Sequence, residues 1–181
     1  MADKKKLRKK RAREHTSAAG RQQALPDFQV KEYNYVLRIL PQDSTLLDTY
    51  REQLAAGTAG FAEVYYNFLF DNPDVAGVLY SYEKGGGDVG MLVRRELESM
   101  LASITGSAGN SRESDLVATG GALFENCFRP VWVIASYNLL TSYMSRLIAE
   151  LEIPPGDKTT LESVINTLLL RDMGLTMEGF W

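Results

Sequence analysis

The sequence predicts an all-α protein, and three observations support this. Apolar residues recur at spacings of three and four along most of the chain, as in Val89, Leu92, Val93 and Leu97, which is the period of an amphipathic helix. No segment alternates apolar and polar residues as a half-buried strand would. No internal repeat points to a solenoid. Because 181 residues is an ordinary length for one domain, we expect about seven or eight helices around one core.

The first 25 residues are predicted to form a disordered basic tail. They hold nine Lys/Arg against two acidic residues, a net charge of +7, whereas residues 26–181 hold eleven basic and twenty-one acidic residues, a net charge of −10. Such a polar segment cannot bury a core, but it can dock on an acidic partner, on nucleic acid or anionic lipid, or on the acidic body of the chain. We therefore expect the folded domain to span residues 26–181.

The first half of this domain is predicted to be a series of short helices. The segment "FQVKEYNYVLRIL" is a pre-helix that Pro41 stops. The next helix has Asp43 or Ser44 as its N-cap and ends just before Gly57. The segment "AGFAEVYYNFLFDNP" has one apolar face and should end before Pro73; this face comprises Phe61, Val64, Tyr65, Phe68 and Leu69. A short turn or helix follows, and "EKGGGD" is a loop.

The second half is predicted to contain longer helices. One begins at Asp88 and carries an apolar stripe to Ile104. The next, "RESDLVATGGALFENC", is weakened by Gly120 and Gly121, each costing about 1 kcal/mol relative to Ala. Pro130 suits the first turn of a long helix that is apolar on nearly every side. After the loop "EIPPGDK", the last helix carries a stripe that consists of Leu161, Val164, Ile165, Leu168 and Leu169.

Composition argues against several classes of protein. Hydrophobic residues make up 45% and charged residues 24% of the chain, as in soluble proteins, and no apolar run is long enough for a membrane span. The start lacks the apolar core of a secretory signal, and a single cysteine fits a reducing cytoplasm. The only histidine is His15, in the tail, and carboxylates such as those of "RRELESM" have the spacing of surface residues. We therefore expect no enzyme.

Four segments of the chain resemble the globin-sensor domain of bacterial globin-coupled sensors and protoglobins. They are "EVYYNFLFDNP", "MLVRRELESMLASITG", "GGALFENCFRPVWVIASY" and "LLLRDMGLTMEGFW", and they follow one another in the order usual for that family, over roughly residues 30–181. The resemblance implies a globin-like fold with a pre-helix before the core. It also implies a homodimer formed by the last two helices, residues 130–151 and 158–180.

The same resemblance implies where a haem-binding histidine would lie. In that family it commonly comes seven residues before a proline and nine before a tryptophan. Counting back from Pro130 and Trp132 gives Leu123, and a slip by one gives Phe124. Neither side chain has a lone pair for iron. The sequence thus predicts a haem-independent sensor or regulatory domain, as in the non-haem globin domains of stressosome regulators, that binds a hydrophobic ligand or a partner protein.

Two alternatives remain open. "CFRPVW" is similar to the Cys-Leu-Arg run of phycobiliproteins, whose cysteine carries a bilin; Cys127 and Arg129 match, but Pro130 stands where an aspartate is usual. A bilin or an unconventionally ligated haem is therefore possible, although we favour Cys127 as a small buried residue. The other alternative is a ligand-free interaction module. A ligand pocket would comprise Tyr66, matching the family's distal tyrosine, with Met100, Leu123, Phe124, Cys127, Arg129 and Trp132.

Overall fold

The computed structural model describes residues 41–106 and 112–181, with side chains from Thr45 onward in the first helix. The basic tail, the boundary near residue 26 and the pre-helix lie outside these residues. Within them the fold is all-helical, as predicted, and comprises seven α-helices and a short 3-10 turn at Thr58–Gly60. The helices are α1 (Pro41–Gly57), α2 (Phe61–Asp71), α3 (Pro73–Lys84), α4 (Val89–Thr105), α5 (Arg112–Glu125), α6 (Pro130–Glu150) and α7 (Pro155–Glu178).

Side chains next to the helix ends explain several of these boundaries. Asn72 ends α2 and caps α3, because its side-chain oxygen accepts hydrogen bonds from the backbone N–H groups of Asp74 and Val75 at 3.1 and 3.4 Å. Pro73 therefore begins a helix of its own. Asp88 caps α4 in the same way by accepting from Met91 N–H at 2.9 Å. The predicted N-cap of α1 is wrong, because that helix already begins at Pro41, before Asp43 and Ser44.

The core lies where α7 packs along both α5 and α6, with α1 against α4 and α2 against α6 closing the other sides. The apolar face predicted for α2 points into this core: Phe61, Tyr65 and Leu69 are buried, and Val64 and Phe68 pack around them. The predicted stripe of α7 is also confirmed, since Leu161, Val164, Ile165 and Leu169 are buried and Leu168 packs against the core.

Two glycines allow α5 and the end of α7 to touch through their backbones. A Cβ added at Gly120 would lie 1.8 Å from the carbonyl oxygen of Thr176, and one at Gly179 would lie 2.1 Å from that of Val117. At Gly121 the nearest atom to such a Cβ is 3.5 Å away, which is an ordinary contact. Gly120 thus has a packing role that outweighs its weak helix propensity, and Gly121 does not.

Candidate functional site

The end of α5 carries Leu123 and Phe124, the two residues that the family resemblance places where a haem-binding histidine would lie. Leu123 is 1% exposed, whereas Phe124 is 58% exposed and makes an edge-to-face ring contact with the buried Phe180. The structure thus separates the two, because only Leu123 points into the core. An aliphatic side chain therefore occupies the interior at this point of the helix.

Cys127 and Arg129 lie in the short connection between α5 and α6. The α5 helix ends at Glu125, so Cys127 does not continue the face of Leu123; it is exposed and adopts a φ of 64°. The favoured interpretation of Cys127 as a small buried residue is therefore wrong. The exposed guanidinium of Arg129 lies 5.3 Å from the ring centroid of Trp132, an arrangement that favours a cation over an aromatic face. Trp132 itself is buried and packs edge-on against Phe128.

The tyrosine pair of α2 is placed differently from what the family resemblance implies. Tyr66 is 37% exposed and stacks on Phe70 at the surface, while the neighbouring Tyr65 is completely buried. Tyr65 lies on the same face as Phe61 and Leu69, which are four residues away on either side. The interior tyrosine of this helix is therefore Tyr65. The spacing of the apolar residues alone favoured it.

The inner face of α4 carries a residue that the sequence analysis assigned to the surface. Val93, Met100 and Ile104 are buried, as their spacing predicts, but Glu96 lies between them and is only 4% exposed. Its Oε2 atom is buried and has no hydrogen-bond partner. The signal was present in the sequence, because residues three and four apart share a helix face. The spacing of Val93, Met100 and Ile104 therefore predicts that Glu96 lies on the buried face of α4.

Glu96, Tyr65 and Ser136 bring polar atoms from α4, α2 and α6 together inside the core. The hydroxyl groups of Ser136 and Tyr65 lie 3.4 Å apart, and the Tyr65 hydroxyl interacts with the Glu96 carboxyl group. Burial raises the pKa of Glu96 to about 7, although the hydrogen bond from Tyr65 acts in the opposite direction. Burial, and then the charge of Glu96, raise the pKa of Tyr65 well above its usual value. We call these three residues the interior polar cluster.

A second buried polar group joins α4, α5 and α7. Asp172 accepts hydrogen bonds from Arg112 and Ser103 on one oxygen and from Arg171 on the other, at 2.9 and 3.1 Å. Two arginines balance one aspartate here, so the charge of Asp172 is compensated. The Nε and Nη1 atoms of Arg112 are buried without a partner. Because the group ties three helices together through paired charges, we interpret it as structural.

Tyr137 is close enough to both the interior polar cluster and the group around Asp172 to feel the charges of Glu96 and Asp172. Its hydroxyl hydrogen-bonds to Thr176 at 3.1 Å. The pKa of Tyr137 is raised above its usual value, mainly by burial and further by the charges of Asp172 and Glu96. Its buried position gives Tyr137 a hydrogen-bonding role in the core.

Three of the seven predicted pocket residues are buried in one core, and the other four are exposed. Leu123, Met100 and Trp132 are buried in the same core, whereas Tyr66, Phe124, Cys127 and Arg129 are exposed. The side chains that the family resemblance places nearest to iron do not fit a haem. Leu123 offers no donor atom, and Cys127 is on the surface. No histidine occurs in residues 41–106 or 112–181, and these ranges contain no cluster of His, Cys, Asp and Glu that could hold a metal ion.

Comparison with known proteins shows the fold. The structure is similar to the globin domain of the Geobacter sulfurreducens globin-coupled sensor, with a TM-score of 0.68 and 16% sequence identity over 81% of this chain and 93% of that one. The chain therefore has the globin fold that its four segments predict. No protein-family model matches the sequence, and no curated protein matches it. Among the helices described, none is both long and apolar enough to cross a membrane.

Proposed function

We propose that this protein is a globin-fold regulatory domain that works without a histidine-bound haem. The observation that carries the proposal is the interior of α5, where the residue that the resemblance places at the iron is the buried aliphatic side chain of Leu123. Polar groups that bring lone pairs into the core, such as those of Glu96, Tyr65 and Ser136, come from other helices. The protein keeps the globin fold, but Leu123 stands where the resemblance places the haem-binding histidine.

The outer face of α7 supports the further proposal that two copies associate. From Ser163 to Met177 this face has no charged residue and comprises Ser163, Asn166, Leu170, Gly174 and Met177; the exposed Glu162 lies at its start. Leu170 is a large apolar side chain that is nearly half exposed. A long helix face without charges is unusual on a free surface, and two such faces related by a two-fold axis can bury each other.

The outer face of α6 has a similar character. Val131 and Ile134 are exposed apolar residues, and Asn138 and Ser142 follow them at helical spacing before Arg146 introduces a charge. Since α6 packs along α7, each copy would contribute two helices to a four-helix contact. This supports the homodimer that the family resemblance implies for residues 130–151 and 158–180.

We propose that such a dimer transmits a signal by binding a hydrophobic ligand in its core or a partner protein on its surface. Catalysis is not part of the proposal, because no histidine lies beside a nucleophile in the described residues. The direct test is an absorbance titration of the whole protein with haemin. We expect no sharp Soret band of the histidine-ligated type, and a stoichiometric complex with such a spectrum would reject the proposal.

A further inference from the structure

Three aromatic side chains are in contact with one another on the surface of α2 and α3. The ring of Tyr66 stacks on that of Phe70 with the two centroids 6.1 Å apart, and the ring of Phe70 in turn contacts that of Tyr80, also at 6.1 Å. Tyr66 and Tyr80 are exposed, and Phe70 is partly exposed. Single exposed aromatic residues are common, but a contiguous group is typical of an interaction surface. We call these three residues the aromatic patch.

The aromatic patch lies in an acidic part of the chain. Residues 52–93 contain six acidic residues and one basic residue, a net charge of −5. Glu63 precedes Tyr66 by three positions and Glu83 follows Tyr80 by three, so each carboxylate shares a helix face with a ring of the patch. Both glutamates are exposed, and neither forms an ion pair within the described residues. Negative charge without a counter-charge therefore borders the patch on both helices.

Tyrosine rings beside carboxylates favour a cationic partner. Lys and Arg side chains bind over the faces of aromatic rings, and their apolar stems cover a ring while the charged group stays at the edge. The chain itself contains such a partner, because residues 4–13 comprise eight Lys/Arg and no acidic residue. We propose that this basic segment docks on the aromatic patch, with Glu63 and Glu83 as its ionic partners. The inference goes beyond the proposed function and does not depend on it.

The chain between the basic segment and the folded domain is long enough for this contact. Residues 28–40 are the predicted pre-helix, which leaves residues 14–27 as the connection. These 14 residues can span roughly 45 Å when extended. A domain of about 140 residues has a radius of gyration of roughly 14 Å. The connection therefore does not keep the basic segment away from α2 and α3.

Other occupants fit this surface less well. Two copies of the chain meeting here would bring two acidic surfaces together, and like charges repel each other. A purely apolar partner would bury Glu63 and Glu83 without a counter-charge, which disfavours binding. A basic segment brings cations both to the carboxylates and to the rings. Because the contact joins exposed charges, salt should weaken it.

Limited trypsin digestion of the full-length protein measures whether the basic segment is covered, since trypsin cuts after Lys and Arg. A synthetic peptide of residues 1–25 in the same digest gives the rate of cutting for an uncovered segment. Mass spectrometry would follow both rates at about 0.05 M salt and at about 1 M salt, where the screening length falls to about 3 Å. The wild type would be compared with Glu63→Gln/Glu83→Gln and with a matched control, Glu98→Gln/Glu125→Gln, which removes two exposed carboxylates from other helices.

We expect the wild type and the matched control to be cut at least about fivefold more slowly than the peptide at low salt, because several ion pairs and cation–π contacts act together. At about 1 M salt both should be cut at the rate of the peptide. Glu63→Gln/Glu83→Gln should be cut within about twofold of that rate at either salt concentration. Tyr80→Leu keeps an apolar side chain but removes the ring, and should lose at least about half of the wild-type protection.

Three results would overturn the inference. A wild-type segment that is cut as fast as the peptide at low salt is uncovered, and the patch would then serve a second copy or a separate protein. Equal protection in the wild type and Glu63→Gln/Glu83→Gln would place the segment on another surface. Equal protection in the wild type and Tyr80→Leu would remove the ring from the contact. The proposed function would stand in each case, because titration with haemin tests it separately. All substituted side chains are exposed, and circular dichroism confirms that each variant keeps its fold.

Discussion

At the scale of single residues, Glu96 makes the free energy of unfolding depend on pH. Its pKa is about 7 in the folded protein, compared with an ordinary value of 4.5. Between these two values the folded protein holds a proton that the unfolded chain has released. The free energy of unfolding therefore decreases as the pH rises through this window, and above pH 7 the loss amounts to about 3 kcal/mol.

The variant Glu96→Gln should remove this dependence, because an amide cannot ionise. We expect it to be more stable than the wild type by about 1–3 kcal/mol at pH 8 and to show no such gain at pH 5. Urea unfolding at both pH values measures the difference, with Glu98→Gln as the exposed control. A variant that is destabilised equally at pH 5 and pH 8 would show that Glu96 is a hydrogen-bonding residue of the core and no more.

Cys127 is the second residue with a measurable local effect. A residue with a side chain loses roughly 1–2 kcal/mol in the left-handed conformation, and Cys127 adopts it with a φ of 64°. Cys127→Gly should therefore raise the free energy of unfolding by about 0.5–1 kcal/mol, after the greater freedom of glycine in the unfolded chain is subtracted. Cys127→Ser should change it by less than about 0.5 kcal/mol, since the side chain is exposed. A large loss in the serine variant would place the thiol in a buried contact.

At the scale of the elements, the two adjacent glycines of α5 provide a matched pair. Gly120→Ala would push a methyl group against the Thr176 carbonyl oxygen and should cost several kcal/mol, about the size of a severe overpacking effect. Gly121→Ala has room and should stabilise the helix by up to about 1 kcal/mol. Thermal or urea unfolding of the two variants distinguishes them. Similar effects in both would mean that α5 does not approach the end of α7 closely.

The same pair shows how far the sequence can predict this fold. Helix positions followed from apolar periodicity, because a buried face repeats every three or four residues along the chain. The role of Gly120 did not, since it depends on Thr176, which is 56 positions away. The burial of Glu96 could have been predicted from the sequence, because Glu96 shares a helix face with Val93 and Met100. The exposure of Cys127 could not be predicted, because it depends on α5 ending at Glu125. The sequence predicted a helix that continues to Cys127.

At the scale of the whole molecule, the outer faces of α6 and α7, which carry few charges, should hold two copies together. Leu170→Glu places a charge at the centre of the α7 face and should convert the dimer to a monomer at tens of micromolar. Tyr80→Glu changes a side chain of similar exposure on α3 and should leave the dimer intact. Light scattering after size-exclusion chromatography measures both. A wild type that is already monomeric at this concentration would contradict the proposed assembly.

The most direct test of the central claim, a globin fold without histidine-bound haem, is an absorbance titration with haemin. The wild-type protein should give no sharp Soret band of a histidine-ligated haem, because Leu123 offers no lone pair to iron. Leu123→His serves as the comparison, since it puts an imidazole at the buried position and should gain such a band if the interior admits the ring. A wild-type complex with one haem per chain and a histidine-type spectrum would contradict the claim.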